Sequence, residues 1–156
     1  MKWVFQRPEY SDGTIDLIPL RLPPAEKELG FGRERTWRIT EHGSRKEIGR
    51  ISYRPGESAA LYYFGHIGYH IDEPYRGHHY ARRACLLLEH EIRISGKSSV
   101  VITCDPDNEP SRRTCIGLGC LFEGITDVPE DIRRKYEISP VQCRYIWVLS
   151  EERNAK

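Results

Sequence analysis

The run Tyr69-His-Ile-Asp-Glu-Pro-Tyr-Arg-Gly-His-His-Tyr-Ala-Arg-Arg-Ala84 holds the residues best placed to do chemistry. A β-type segment ends there in a turn that opens directly into a helix, with Arg76 and Gly77 at its start. The first N–H groups of a helix have no acceptor inside it, and the helix dipole adds partial positive charge at that end. Such a turn is an anion site, and a phosphate-bearing cofactor is its natural occupant.

The elements that must position this turn follow from the patterning. Residues 14–20 alternate polar and apolar and read as a strand. Residues 21–35 are rich in proline, glycine and charge and read as irregular chain. Thr36–Thr40 and Glu47–Tyr53 read as a hairpin turning at His42-Gly43-Ser44. Ala60–Ile71, rich in tyrosine and isoleucine, reads as one long strand.

The period then changes. Over residues 78–94, Ala81, Ala84, Cys85, Leu88 and Ile92 recur three or four apart and define one helical face, with Gly96 as the stop. Val100–Cys104 is apolar throughout, as expected of a strand buried on both faces. Asn108 is a cap for a second helix with Pro110 in its first turn, and Gly119 ends it. Cys120–Ile125 and Val141–Leu149 read as the last strands, with one helical turn at Glu130–Tyr136 between them. A helix crossing between two strands places a parallel pair at the sheet centre, with the anion turn at the carboxyl end of one of them.

The bulk numbers exclude several classes. The chain has 156 residues, which suits a single domain over residues 1–156. Its 24 Lys plus Arg against 23 Asp plus Glu give no basic excess for a nucleic-acid binder. No apolar run reaches the ~20 residues of a membrane helix. The segment Met-Lys-Trp-Val-Phe-Gln-Arg-Pro lacks the apolar stretch of a secretion signal, so a cytoplasmic protein is expected. Five cysteines without a Cys-x-x-Cys spacing read as buried reduced thiols. His66, His70, His78 and His79 do not converge on a metal in this reading, because the turn separates the two pairs.

Gly68 to Ala81 resembles the acetyl-CoA motif of the GNAT superfamily of N-acetyltransferases, which runs Gln/Arg-x-x-Gly-x-Gly/Ala. Arg76 matches its first position and Ala81 its last, while His79 stands where the family has glycine. Ile102–Asn108, then Ser111 and Gly119, are similar to the family's fifth strand and its Asn-x-x-Ala/Ser helix. Arg144-Tyr-Ile-Trp147 looks like the last strand of one branch of small bacterial members. The resemblance runs from about Gly49 to Leu149.

The resemblance implies a mixed α/β fold with a mostly antiparallel sheet of about seven strands and a parallel, splayed pair at the cofactor site. It implies acetyl-CoA as donor, with no metal. The pyrophosphate would sit on the backbone of Gly77, His78, His79, Tyr80, Ala81 and Arg82, with Arg76 neutralising it. The Ile71 backbone would bond the pantetheine arm, faced by Asn108 and Ser111. Arg82-Arg83 and Arg112-Arg113 would reach the 3′-phosphate or lie solvated on helix surfaces.

Acetyl transfer to an amine needs a neutral nucleophile, although alkyl amines have pKa near ~10. His66 is the first candidate base, with Glu73 and Asp72 behind it; a structural strand histidine is the competing reading. Cys115 occupies the place, seven residues after Asn108, where many members carry an acidic tyrosine; helix packing is its alternative. The expected acceptor is a small amine, in an open pocket or one completed by a second subunit of a homodimer. The alternative to an enzyme is a non-catalytic acyl-CoA-binding sensor.

Overall fold

The computed structural model describes residues 6–21 and 33–150. Most of the irregular stretch expected over residues 21–35 lies outside these. The strands are β1 Tyr10–Ser11, β2 Ile15–Leu20, β3 Arg35–Glu41, β4 Gly49–Tyr53, β5 Ile67–Ile71, β6 Ser99–Cys104, β7 Leu121–Asp127 and β8 Val141–Val148. The helices are α1 Ala59–Phe64, α2 Tyr80–Leu87, α3 Glu89–Ile94, α4 Glu109–Gly117 and α5 Glu130–Tyr136.

The strands form two sheets, β1-β2-β3-β4-β5 and β6-β8-β7, each antiparallel throughout. The strand count is eight among the described residues, against the seven or so expected. No ladder joins β5 to β6; the chain touches β6 just ahead of β5, at the isolated Gly65–Ile102 bridge. The strands flanking the helical crossover are therefore splayed, and a gap opens between them. Helix α2 packs on β2, β4 and β5 and against α4, and so ties the sheets together. One apolar core runs through both, from Trp37, Ile39 and Ile51 through Leu88 and Ile92 to Ile102, Tyr145 and Trp147. No helix among the described residues is long and apolar enough to cross a membrane.

The expected strand over Ala60–Ile71 is a correction. Its first half is α1, and β5 begins only at Ile67. The Ser58 side chain accepts the Leu61 N–H at 3.2 Å and caps the helix. Gly65, at φ 76° and ψ 166°, ends it in a conformation that is essentially glycine's alone. The strand preference of tyrosine and phenylalanine yields here to the two caps. The single helix expected over 78–94 starts at Tyr80 and is interrupted at Leu88, whose N–H is shared between the Ala84 and Cys85 carbonyls.

Helix α4 closes in a Schellman motif. Gly119 donates to the Ile116 carbonyl and Cys120 to the Cys115 carbonyl, both at 3.0 Å, with Gly119 at φ 78°. All five cysteines are free thiols, and all but Cys120 are buried.

Candidate active site

The gap between the sheets opens into a groove of about 890 Å³. Its walls follow from the hydrogen-bond register. Arg54 donates to the His66 carbonyl and Asp72 to the Ile48 carbonyl, flanking the β4–β5 ladder at both ends. Antiparallel pairs alternate between bonded and unbonded. Ile67, Tyr69 and Ile71 therefore fall at unbonded positions, and their N–H and C=O groups point away from β4, into the gap. The same count on β6 starts from the Leu149 N–H bonded to the Ser98 carbonyl and leaves Val101 and Thr103 facing the gap. Val101 is met by His66. Beyond it the strands part, and a row of backbone donors and acceptors lines the groove on either side.

His66 closes the narrow end. Its N–H donates to the Val101 carbonyl at 2.8 Å, and its ring Nδ1 accepts the Val101 N–H at 3.0 Å. The ring thus stands in for a strand carbonyl. Nε2 lies 3.2 Å from the Glu57 carboxylate. Burial lowers the His66 pKa, only partly opposed by Glu57. The ring is buried and both nitrogens are engaged, and His66 does not line the groove. The geometry is that of a structural histidine.

The other candidates for proton transfer lie elsewhere as well. Glu73 stands in an exposed 3-10 turn outside the groove, and Asp72 pairs with His70 at 3.3 Å. Cys115 is fully buried behind the groove, and its contact with the Cys120 thiol, together with burial, raises its pKa, which makes it a poor acid.

At the wide end the turn after β5 opens into α2. The first α2 bond is Arg83 N–H to the His79 carbonyl at 3.1 Å, so the Tyr80, Ala81 and Arg82 N–H groups have no helical acceptor. His79 precedes them in the left-handed conformation, φ 61° and ψ 25°. That is why glycine suits the position. Histidine is among the residues that tolerate it, at some strain. Gly77, at φ 90°, makes the turn before it.

Arg76 lines the groove and donates from Nε to the Ile71 carbonyl at 2.8 Å, bracing the end of β5. Gly77, His79, Tyr80, Ala81 and Arg82 also line it; His78 instead lies against the Tyr80 ring. The arginine pairs divide. Arg82 and Arg113 line the groove, whereas Arg83 bonds Asp12 and Arg112 bonds the Tyr145 hydroxyl.

On the opposite wall Asn108 caps α4 by accepting the Ser111 N–H at 3.2 Å. The Ser111 hydroxyl meets the Tyr69 hydroxyl at 2.7 Å and so fastens β5 to α4 beneath the groove. Burial raises the Tyr69 pKa, and the phenol stays protonated. Sequence reasoning missed Tyr69 and Thr103 as groove-forming residues, although the two-residue period of a strand was the signal for both. It also missed Glu137, which reaches the groove from the β7–β8 connection. Among the described residues no group of three or more histidine, cysteine or acidic side chains is arranged to hold a metal.

This is the fold of an acetyltransferase family. Residues 2–120 match the family profile described as acetyltransferase (GNAT) domain, and the chain belongs to that family. The microcin C7 self-immunity acetyltransferase MccE, solved with acetyl-CoA and AMP, superposes with a TM-score of 0.56 at 25% identity over 74% of this chain and 61% of that one. The ribosomal-protein-S5-alanine acetyltransferase from Vibrio fischeri gives a TM-score of 0.58 at 20% identity, covering 81% and 65%. An acetyltransferase from T. thermophilus gives 0.60 at 21%, covering 94% and 92%. The chain thus spans less than two thirds of the first two. None of the curated proteins matches it.

Proposed function

We propose that this protein is an acetyl-CoA-dependent N-acetyltransferase acting on the amine of a small molecule. The observation that carries the reading is the unpaired strand edge of β5 opposite the open start of α2. The edge offers alternating amide donors and acceptors at strand spacing, which matches the two amides of a pantetheine arm. The Tyr80, Ala81 and Arg82 N–H groups, with Arg76 beside them, suit a pyrophosphate. Asn108 and Ser111 flank the same channel. Bound there, acetyl-CoA supplies an acyl group activated as a thioester. A β5 N–H facing the gap donates to the thioester oxygen as charge develops on it. The aromatic Tyr63 and Phe64 line the groove. The Vibrio fischeri protein is named for a ribosomal protein and MccE was solved with AMP, so the relatives leave the acceptor class open, and the small amine is this reading's own choice.

One observation favours a second reading, an acyl-CoA sensor without turnover: none of His66, Glu73 and Cys115 lines the groove. Calorimetric titration with acetyl-CoA, followed by CoA release in the presence of an amine panel, separates the two. An enzyme binds and releases CoA with at least one amine. Binding without release on any amine supports the sensor, and absence of binding overturns both.

A further inference from the structure

Two non-glycine residues among those described have a positive φ, His79 at 61° and Glu137 at 53°. Both line the groove, His79 from the loop after β5 and Glu137 from the connection between β7 and β8. Left-handed backbone is strained for a side chain other than glycine or asparagine, and residues held in it gather at ligand sites. Glu137 is the residue that ends α5, with ψ at 42°. Glycine is the usual occupant of such a position. A glutamate there calls for a reason other than the turn.

The charges along the groove supply one. Its cations are Arg76, Arg82 and Arg113 and, near the start of β5, Arg54, which pairs with Glu34 at 3.5 Å; its acids are Asp105 and Glu137. Asp105 is committed, since it accepts from Gln142 Nε2 at 2.6 Å. Glu137 is exposed and makes no hydrogen bond or ion pair with a described residue. The residue before it, Tyr136, meets Phe64 edge-on with centroids 5.1 Å apart and holds Lys135 Nζ over its own ring, while Tyr63 and Phe64 line the same groove as Glu137. A carboxylate set next to aromatic rings is the environment that recognises an alkylammonium, through charge on one side and ring faces on the other.

We propose that Glu137 is the acceptor-binding acid of the groove: it holds the ammonium of a primary amine against the aromatic wall formed by Tyr63 and Phe64. This rests on the acetyltransferase reading and sharpens it. The substrate class it selects is a cationic amine whose nitrogen carries an alkyl chain; acceptors bearing an anion next to the nitrogen are disfavoured.

The test is calorimetric titration of the CoA-loaded protein with 1,4-diaminobutane and with lysine amide. The wild type binds at least one of them. Glu137→Gln weakens that binding at least tenfold while acetyl-CoA affinity stays within twofold. Glu137→Gly loses the amine equally but raises the melting temperature, because glycine relieves the strain; a residue that merely closed the helix would not trade binding for stability in this way. Failure of the wild type to bind either amine overturns the inference, as does unchanged binding in Glu137→Gln. Failure to bind acetyl-CoA is a different result, which overturns the proposed function and takes this inference with it.

Discussion

Two histidines at opposite ends of the groove show how much a single side chain can settle. His79 holds α2's first turn in a conformation that glycine adopts freely. His79→Gly is therefore expected to stabilise the fold by about 1 kcal/mol and to leave acetyl-CoA binding intact. Thermal unfolding with and without acetyl-CoA reads both effects. His66 does the reverse work, replacing a strand carbonyl with a ring nitrogen. His66→Ala leaves the Val101 N–H without an acceptor, an expected loss of about 1–3 kcal/mol.

The pH dependence of that contribution has a definite sign. The folded pKa of His66 lies below its ordinary 6.5, so the unfolded chain takes up the proton first as pH falls. The contribution is complete above pH 6.5 and is lost below it, toward the folded pKa. Denaturant unfolding at pH 7.5 and 5.5 is expected to show a larger drop for the wild type than for His66→Ala. An equal drop would mean that the ring is not buried as a neutral base.

At the scale of elements, the gap is made by where β5 starts. Gly65 allows α1 to stop and the chain to meet β6 for a single bridge before turning away. A Cβ at Gly65 would lie 2.8 Å from the Val101 carbonyl and 3.1 Å from the Thr103 nitrogen. Gly65→Ala is expected to cost at least about 2 kcal/mol, from a backbone region closed to alanine together with the clash. Chemical denaturation measures it, and a change under about 0.5 kcal/mol, that of a neutral surface substitution, would contradict the account.

The elements also show what the sequence discloses and what it hides. The anion turn, the Asn108 cap and the α5 turn were readable because each depends on residues within a few positions of one another. Helix α1 was misread because its tyrosines favour a strand by propensity, while the deciding signals were the flanking Ser58 and Gly65. Glu137 was invisible for another reason. Nothing near it in sequence tells that the β7–β8 connection folds over the mouth of a groove built by β5 and β6.

For the whole molecule, the two sheets share one core yet part at the edge, and the parting opens the groove. In the proposed placement, acetyl-CoA meets mostly backbone along β5 and at the start of α2. Substitutions that alter charge at the open helix start are expected to weaken binding without unfolding the protein. Ala81→Glu, which sets a carboxylate among the free N–H groups, is expected to lower acetyl-CoA affinity at least tenfold, or about 1.4 kcal/mol.

The most direct test reads the backbone itself, by residue-resolved amide hydrogen exchange with and without saturating acetyl-CoA. The account predicts that the Tyr69, Ile71, Tyr80, Ala81 and Arg82 amides gain protection, while His70, whose amide pairs with β4, gains none beyond the general stabilisation of the fold. Protection that fails to appear at those five amides, or that rises equally at His70, would contradict the placement of acetyl-CoA along the β5 edge.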